Sequence, residues 1–394
     1  MALWKKIVLQ GLYILLVSGV GLVATEVVLR VLSPKQFFIW PPHAKRTYQP
    51  NPEWLPGIRG DGRFMTNALG IRGDEIPTDA KNRILTLGGS TTEALYLDQE
   101  ETWPYLLQKH LNAISGMSKT WVGNVGKSGH NTINHIYQMK YFVPQVPGLS
   151  TVILLVGANE VFFQPYWKTE FNPDPKLAPL KTDRENLTSS FSSFPISLKA
   201  PYFSNFRQTA LFFHFDRLYW LMNKIGFYQD HQGKFHQKMR ALKKSGKIYD
   251  KRPDLSLGLN FYEQNLNALI DEGQKQNLKV VLMTQPYAWN AHMSPEEQKI
   301  LWWGWVYGAK NLFYSLDVQT FIFESYNQRL LEVCQKRGIR CVDLANKVPH
   351  DLSYFYDDIH FNEKGNDAVA RVLAEFFGSE GARTETTARK AERL

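Results

Sequence analysis

Residues Arg83 to Leu87 read Arg-Ile-Leu-Thr-Leu, and the chain then breaks at Gly88-Gly89-Ser90-Thr91-Thr92. A short β-branched and leucine run suits a strand buried on both faces of a parallel sheet, which needs helices on either side. Gly88 and Gly89 can take backbone angles closed to other residues, so the chain can turn sharply and present the Ser90 hydroxyl at the carboxyl edge of the sheet. Ligands of open α/β sheets collect at that edge. Ser90 is therefore the first candidate nucleophile. Taken alone, Gly-Gly-Ser is also an ordinary turn. The elbow Gly-x-Ser-x-Gly is not matched either, because Thr92 holds its last position.

Downstream, strands and helices alternate. Trp103 to Ile114 has helical spacing of apolar residues, with Pro104 in the first turn where a missing N–H does least harm. Thr120 to Val125 reads as a strand ending in Gly126-Lys127-Ser128-Gly129, Thr132 to Phe142 as a helix, and Thr151 to Val156 as a strand ending in Gly157-Ala158-Asn159-Glu160. The pattern resumes with the helix Asn260 to Gln276, the strand Lys279 to Thr284, the helix Thr320 to Arg337, the strand Ile339 to Asp343 and the helix Glu363 to Phe377. Five strands separated by helices predict an α/β fold, a three-layer α/β/α sandwich around a parallel five-stranded sheet.

Two insertions interrupt this domain of residues 81–378. Residues 162–257 are Pro-rich and polar until Tyr202, then show an aromatic helix pattern from Phe206 to Ile225, read as a cap over the sheet edge or a helix packed on the core. Residues 286–318 contain Leu301-Trp302-Trp303-Gly304-Trp305-Val306-Tyr307. Such a cluster packs an inserted helical hairpin, stacks on sugar rings or forms an interfacial belt. Residues 379–394 read as a disordered charged tail.

At the other end, Ile7 to Ala24 is an almost uncharged run of bilayer-crossing length behind Lys5 and Lys6. The best cleavage candidate, Gly19-Val20-Gly21, lies inside the apolar run, so residues 1–32 are expected to be an uncleaved transmembrane anchor. Basic residues on its two sides balance and leave orientation open. Residues 33–80, rich in Pro and Gly, read as an extended spacer, with Asn67 to Gly73 forming a β-turn and a short strand at the domain edge.

The 46 basic residues exceed the 37 acidic ones, giving a formal charge of +9. They are spread along the chain without a zinc-finger or RNA-binding signature, so nucleic acid is not an expected partner. The densest basic stretch, Lys238 to Arg252, reads as a solvated helix face or a lipid-headgroup contact. Gly126-Lys127-Ser128 resembles the end of a phosphate-binding loop, but the upstream glycine it requires would fall at Trp121. Cys334 and Cys341 lack the partners of a zinc site and read as two buried thiols, or as one disulfide in an oxidising compartment. No metal or cofactor is expected.

The remaining chemistry lies in Tyr356-Asp357-Asp358-Ile359-His360-Phe361-Asn362. An Asp three residues before a His on one loop can turn back to accept the imidazole Nδ1–H, leaving Nε2 free to take a serine proton. Asp358 should project elsewhere. Acyl transfer also needs donors where an oxyanion forms, and two other strand ends supply them, the Gly129 backbone N–H and the Asn159 side-chain amide.

In these four blocks, Gly88 to Thr92, Asn124 to Gly129, Gly157 to Glu160 and Asp357 to His360, the sequence resembles the SGNH (GDSL-type) hydrolases. The resemblance implies Ser90 as nucleophile, Asp357 and His360 as the rest of a triad, and an oxyanion hole from the Ser90 backbone, Gly129 and Asn159. Gly89 and Glu160 stand where the family usually carries Asp. The family cleaves lipid esters, thioesters and acetylated sugars, and membrane-tethered relatives resemble enzymes that add or remove acetyl groups on bacterial exopolysaccharide. The expected function is thus a membrane-anchored, extracytoplasmic (periplasmic) serine esterase acting on an acyl or acetyl ester, with acetylated polysaccharide or lipid as substrate. The alternatives are an O-acetyltransferase acting on an envelope glycan and a catalytically silent glycan-binding scaffold.

Overall fold

The computed structural model describes residues 2–114, 118–162, 164–176, 182–195, 210–211 and 230–391. Its strands are β1 (Lys45–Tyr48), β2 (Gly62–Met65), β3 (Asn82–Gly88), β4 (Thr120–Asn124), β5 (Thr151–Leu155), β6 (Lys247–Tyr249), β7 (Lys279–Met283), β8 (Leu312–Tyr314) and β9 (Arg340–Val342). The described helices are α1 (Ala2–Val31), α2 (Ser90–Glu93), α3 (Trp103–Ala113), α4 (Thr132–Tyr137), α5 (Ala158–Phe162), α6 (Asp183–Ser190), α7 (Lys234–Lys244), α8 (Ser256–Lys275), α9 (Pro295–Gln298), α10 (Leu316–Arg337) and α11 (Glu363–Ala391).

The predicted sheet forms, five strands in the order β4-β3-β5-β7-β9, every neighbouring pair parallel. All residues of β4 and β5 are buried, as central strands between helical layers must be. The chain runs from β3 outward to β4 and then returns to the other side of β3 as β5, so the switch point of the sheet lies between β3 and β5. Gly88 pairs with Leu155 in that register, and the turns after both strands open side by side. Helix α8 buries Tyr262, Leu266, Leu269, Ile270 and Gly273 along one stripe. A Cβ on Gly273 would lie 2.2 Å from a Val280 methyl, so glycine there sets how closely helix and strand approach. Helix α10 ends at Gly338 with φ +60°, and the Cys334–Cys341 disulfide fastens that end to β9, the second of the two readings for these cysteines.

Several expectations require correction. The segment before β3 is not an extended spacer. Ile39, Trp40, Tyr48, Leu55, Ile58, Phe64 and Ile71 are all buried in the common core, and β1 pairs antiparallel with β2. Arg72 exchanges two backbone hydrogen bonds with Asn124, 2.9 and 3.0 Å, and so covers the edge of β4 where an edge segment was expected. Pro and Gly broke the hydrophobic periodicity without preventing burial.

Residues 286–318 form no helical hairpin. Gly304 at φ +115° and Gly308 at φ +79° stop helix propagation, and only α9, β8 and the first three residues of α10 are regular. The tail expected to be irregular continues α11 to Ala391, its Ala, Glu, Lys and Arg residues being strong helix formers. The aromatic helix read over 206–225 lies outside the described residues except at 210–211.

Within α1, Lys6–Val31 is long and apolar enough to cross a membrane. Its large apolar side chains from Trp4 to Val23 are exposed, whereas Glu26 and Arg30 near its end are buried. These two form an ion pair at 2.6 Å. Glu26 also accepts the backbone N–H groups of Ala210 and Leu211, at 2.7 and 2.9 Å, so the first insertion docks on the base of this helix.

Trp40 is 4% exposed and donates its indole N–H to the Gly126 carbonyl at 3.1 Å. Trp40→Ala should destabilise the full chain by about 3–5 kcal/mol, as large aromatic truncations in cores do. Denaturant unfolding in detergent measures this, and an unchanged midpoint would restore the spacer reading.

Candidate active site

Gly89 caps α2, which makes Ser90 the first residue of a single helical turn. The turn is tight. A Cβ on Gly88 would lie 2.1 Å from Thr92 Oγ1, and one on Gly89 would lie 2.3 Å from Asn159 Nδ2. The space that the usual Asp would enter at position 89 is filled by the Asn159 amide.

The predicted triad residues meet. His360 Nε2 lies 2.7 Å from Ser90 Oγ, and His360 Nδ1 lies 2.7 Å from Asp357 Oδ2. The loop is folded back on itself, because Asp357 Oδ1 also accepts the backbone N–H groups of Ile359 and His360, at 3.0 and 2.8 Å. Tyr356 stacks on the imidazole, 5.4 Å between centroids and 6° between planes. Burial alone would raise the Asp357 carboxyl, but the charge of His360 and the N–H groups of His236 and His360 hold it well below the usual range. Burial alone would lower His360, yet the charge and hydrogen bond of Asp357, with Asp358 and Glu93 behind, raise it above 6.5.

Asp358 does project elsewhere. It accepts the backbone N–H groups of Trp302 at 2.7 Å and Trp303 at 3.2 Å. Burial and the neighbouring Asp357 raise its carboxyl, against the opposing charge of Lys243.

The two other strand ends form the opposite wall. Gly129 has φ +78°, and apart from its chain neighbours no atom of the described residues lies within 4 Å of where its Cβ would be. Its loop is tied to β3 by Lys127 N–H donating to Gly88 O at 3.0 Å. The loop is also held by the buried Glu93 carboxylate, which accepts both the backbone N–H and the hydroxyl of Ser128. Burial pushes Glu93 up to about 6, against those donors. Asn159 donates one amide hydrogen to His130 O at 2.6 Å. Its second amide hydrogen, like the Ser90 and Gly129 backbone N–H groups, has no partner among the described residues. Glu160 accepts Thr132 N–H at 2.5 Å and Gly157 N–H at 3.1 Å, clasping the starts of α4 and α5 together.

Three contributors escaped the sequence. Trp302 donates its indole N–H to Asp357 Oδ2 at 2.9 Å, and His236 Nε2 lies 3.1 Å from the same oxygen. Arg240 donates to the carbonyls of Tyr356 (2.9 Å), Ile300 (2.6 Å) and Trp54 (2.6 Å). The basic stretch read as a solvated face therefore turns Arg240 and Lys243 inward, toward the carboxylates of the 357–360 loop. Helical spacing of 236, 240 and 243 places them on one face, but nothing local says which face is buried. The tryptophan cluster had a signal, and its leading reading was packing; its bond to Asp357 had none. His236, Asp357 and His360 offer ligand atoms within 4.8 Å of one another. Asp357 Oδ2 already accepts the Trp302 N–H, so the group is built as a hydrogen-bond hub.

The sequence model of the GDSL-like Lipase/Acylhydrolase family matches residues 86–368. Among solved structures, a member of the lipolytic protein G-D-S-L family from Veillonella parvula DSM 2008 is 10% identical, covering 75% of this chain and 98% of that one with a TM-score of 0.39. LAE5, an α/β hydrolase enzyme from the metagenome of Lake Arreo, Spain, is 13% identical over 76% of this chain and 96% of its own, with a TM-score of 0.39. Axe2, an acetylxylan esterase from Geobacillus stearothermophilus, is 13% identical over 76% and 95%, with a TM-score of 0.38. No curated protein sequence matches significantly. Since the family match runs from the end of β3 into α11, and so takes in all four strand-end blocks, the chain belongs to the GDSL-like lipase/acylhydrolase family and is a carboxylic ester hydrolase.

Proposed function

We propose that this chain is a membrane-anchored serine esterase that hydrolyses an acyl or acetyl ester through an acyl-enzyme on Ser90. The observation that carries the proposal is the continuous pair of 2.7 Å contacts from Ser90 Oγ to His360 and from His360 to Asp357. With Nδ1–H donated to Asp357, the Nε2 lone pair accepts the Ser90 proton as Oγ attacks the ester carbonyl. The negative charge on the carbonyl oxygen is met by the N–H groups of Ser90, Gly129 and Asn159. His360 then returns the proton to the leaving alcohol as the C–O bond breaks. Water deacylates the serine by the same route, releasing the carboxylic acid.

Two observations support the anchor and its extracytoplasmic orientation. The exposed apolar face of α1 suits a bilayer, and the Cys334–Cys341 disulfide suits an oxidising compartment. The docking of the insertion on the base of α1 would hold the site near the membrane surface, where an acetylated polysaccharide or a lipid ester is within reach. A phosphatase fusion at Leu394 should be active outside the cytoplasm, and the protein should resist alkaline extraction from membranes. A chain released by alkali, or an inactive fusion, overturns the anchor or the orientation respectively.

Ser90→Ala should abolish turnover of a chromogenic acetyl ester and labelling by a fluorophosphonate, with an unchanged melting temperature. Retained labelling would remove the nucleophile assignment. Asp357→Asn should lower kcat by about 10⁴-fold, as loss of the orienting carboxylate does in serine hydrolases. Asp358→Asn should act mainly on stability, and equal activity losses would show that the wrong carboxylate was assigned. The base must be neutral to act, and its folded value lies above 6.5. The acid limb of kcat/KM should accordingly have its midpoint above pH 6.5, with activity lost as pH falls through it.

A further inference from the structure

Asp357 Oδ2 receives more donors than a triad requires. His360 Nδ1 stands 2.7 Å away, Trp302 Nε1 2.9 Å and His236 Nε2 3.1 Å. His236 comes from α7, inside the first insertion, and none of the four family blocks contains it. The residue is 4% exposed, and among the described residues its buried Nδ1 has no partner. A proton on Nδ1 would be a buried donor without an acceptor among the described residues, whereas a hydrogen on Nε2 is aimed at the carboxylate.

The helix that carries His236 is built to hold it still. Asp230 accepts the backbone N–H groups of Gly233, Lys234 and Phe235 at the start of α7, at 2.8, 2.8 and 2.7 Å. One and two turns on, Arg240 and Lys243 bond carbonyls of the loops that flank Asp357 and Asp358, Lys243 reaching Trp303 O at 2.6 Å. The imidazole meets Tyr356 edge-on at 5.6 Å and His360 at 6.1 Å and 85°. Such an arrangement fixes the ring more firmly than packing alone would.

We propose that His236 is a positioning residue for the esterase reaction, its Nε2–H locking the Asp357 carboxylate and moderating that carboxylate's pull on the His360 proton. Each donor on Oδ2 spreads the negative charge and lowers its attraction for the imidazole. Withdrawing one leaves a stronger acceptor facing His360 and a carboxylate freer to rotate. Among the described residues, the charged and titratable groups that otherwise face this pair are Asp358, Glu93, Arg240, Tyr356 and Tyr96, whose ring meets His236 at 6.0 Å, with Lys243 beside Asp358. All remain in place when His236 is changed.

The inference rests on the serine-esterase reading, and the experiment separates the two. In full-length protein in detergent, kcat, KM and the pH profile are measured for wild type, Ser90→Ala, His236→Phe, His236→Gln and His236→Asn. His236→Phe should lower kcat by about 10- to 100-fold, the size of loss that follows removal of the hydrogen-bond partner behind a metal-ligating side chain. KM should stay unchanged, and the acid limb of kcat/KM should move to higher pH. Glutamine carries its amide nitrogen where the imidazole Nε2 lies and should restore both. The shorter asparagine should not. If His236→Phe fails to fold, the glutamine and asparagine variants decide by their difference alone. An active wild type and a dead Ser90→Ala together with an unshifted acid limb in His236→Phe, or with glutamine no better than asparagine, overturns the role of His236 and leaves the esterase reading standing. An inactive wild type, or an active Ser90→Ala, overturns that reading itself.

Discussion

A carboxylate with no exposure to water sits at the centre of this structure, and its burial constrains what surrounds it. An ionised carboxylate in the interior is tolerated only when donors replace the water it has lost. Asp357 finds them on three separate parts of the chain: its own loop, the tryptophan segment between β7 and β8, and α7. Each part is held in turn. Asp358 ties down the tryptophan segment through two backbone N–H groups, and Arg240 binds α7 to the Tyr356 carbonyl. The two insertions are thus structural members of the site rather than additions to its rim.

The opposite wall follows the same logic with a different acid. Glu93, one turn after Ser90, lies buried with its charge directed at Ser128, so the loop that presents the Gly129 N–H is fixed from the same helical turn that presents the serine. Arg72, on the segment covering the edge of β4, donates to the Glu93, Ala94 and Leu97 carbonyls and closes that turn from behind. Trp40 and Lys127 hold the same loop to the N-terminal segment through the Gly126 and Ile39 carbonyls. A stretch rich in proline and glycine therefore supports the proposed oxyanion donors. Its apolar residues are buried one by one among turns, which leaves no helical or strand periodicity for a sequence reading to detect.

The two departures from the family pattern have physical accounts. At position 89 the missing side chain makes room for the Asn159 amide, which lies against the turn. At position 160 the longer glutamate spans from the start of α5 to Thr132, joining the Asn159 turn to the segment that follows Gly129. Both changes act on how the two donor loops are fastened together.

The sheet, its parallel sense and the four strand-end blocks were legible in the sequence because they are local: an apolar run of strand length, a glycine where the chain must turn, and an Asp that reaches a His three residues on within one loop. Those features follow from side-chain volume, backbone freedom and short-range hydrogen bonding. What His236, Trp302, Arg240 and Glu93 do was not legible, because each acts on a group brought near only by the packing of distant segments. A histidine in a basic helix reads the same whether it faces water or a buried carboxylate. By itself the sequence determined which residues could carry acyl chemistry and on which sheet edge they would gather. The tertiary structure alone decided which remote donors keep the central charge buried, since that depends on distances no spacing along the chain encodes.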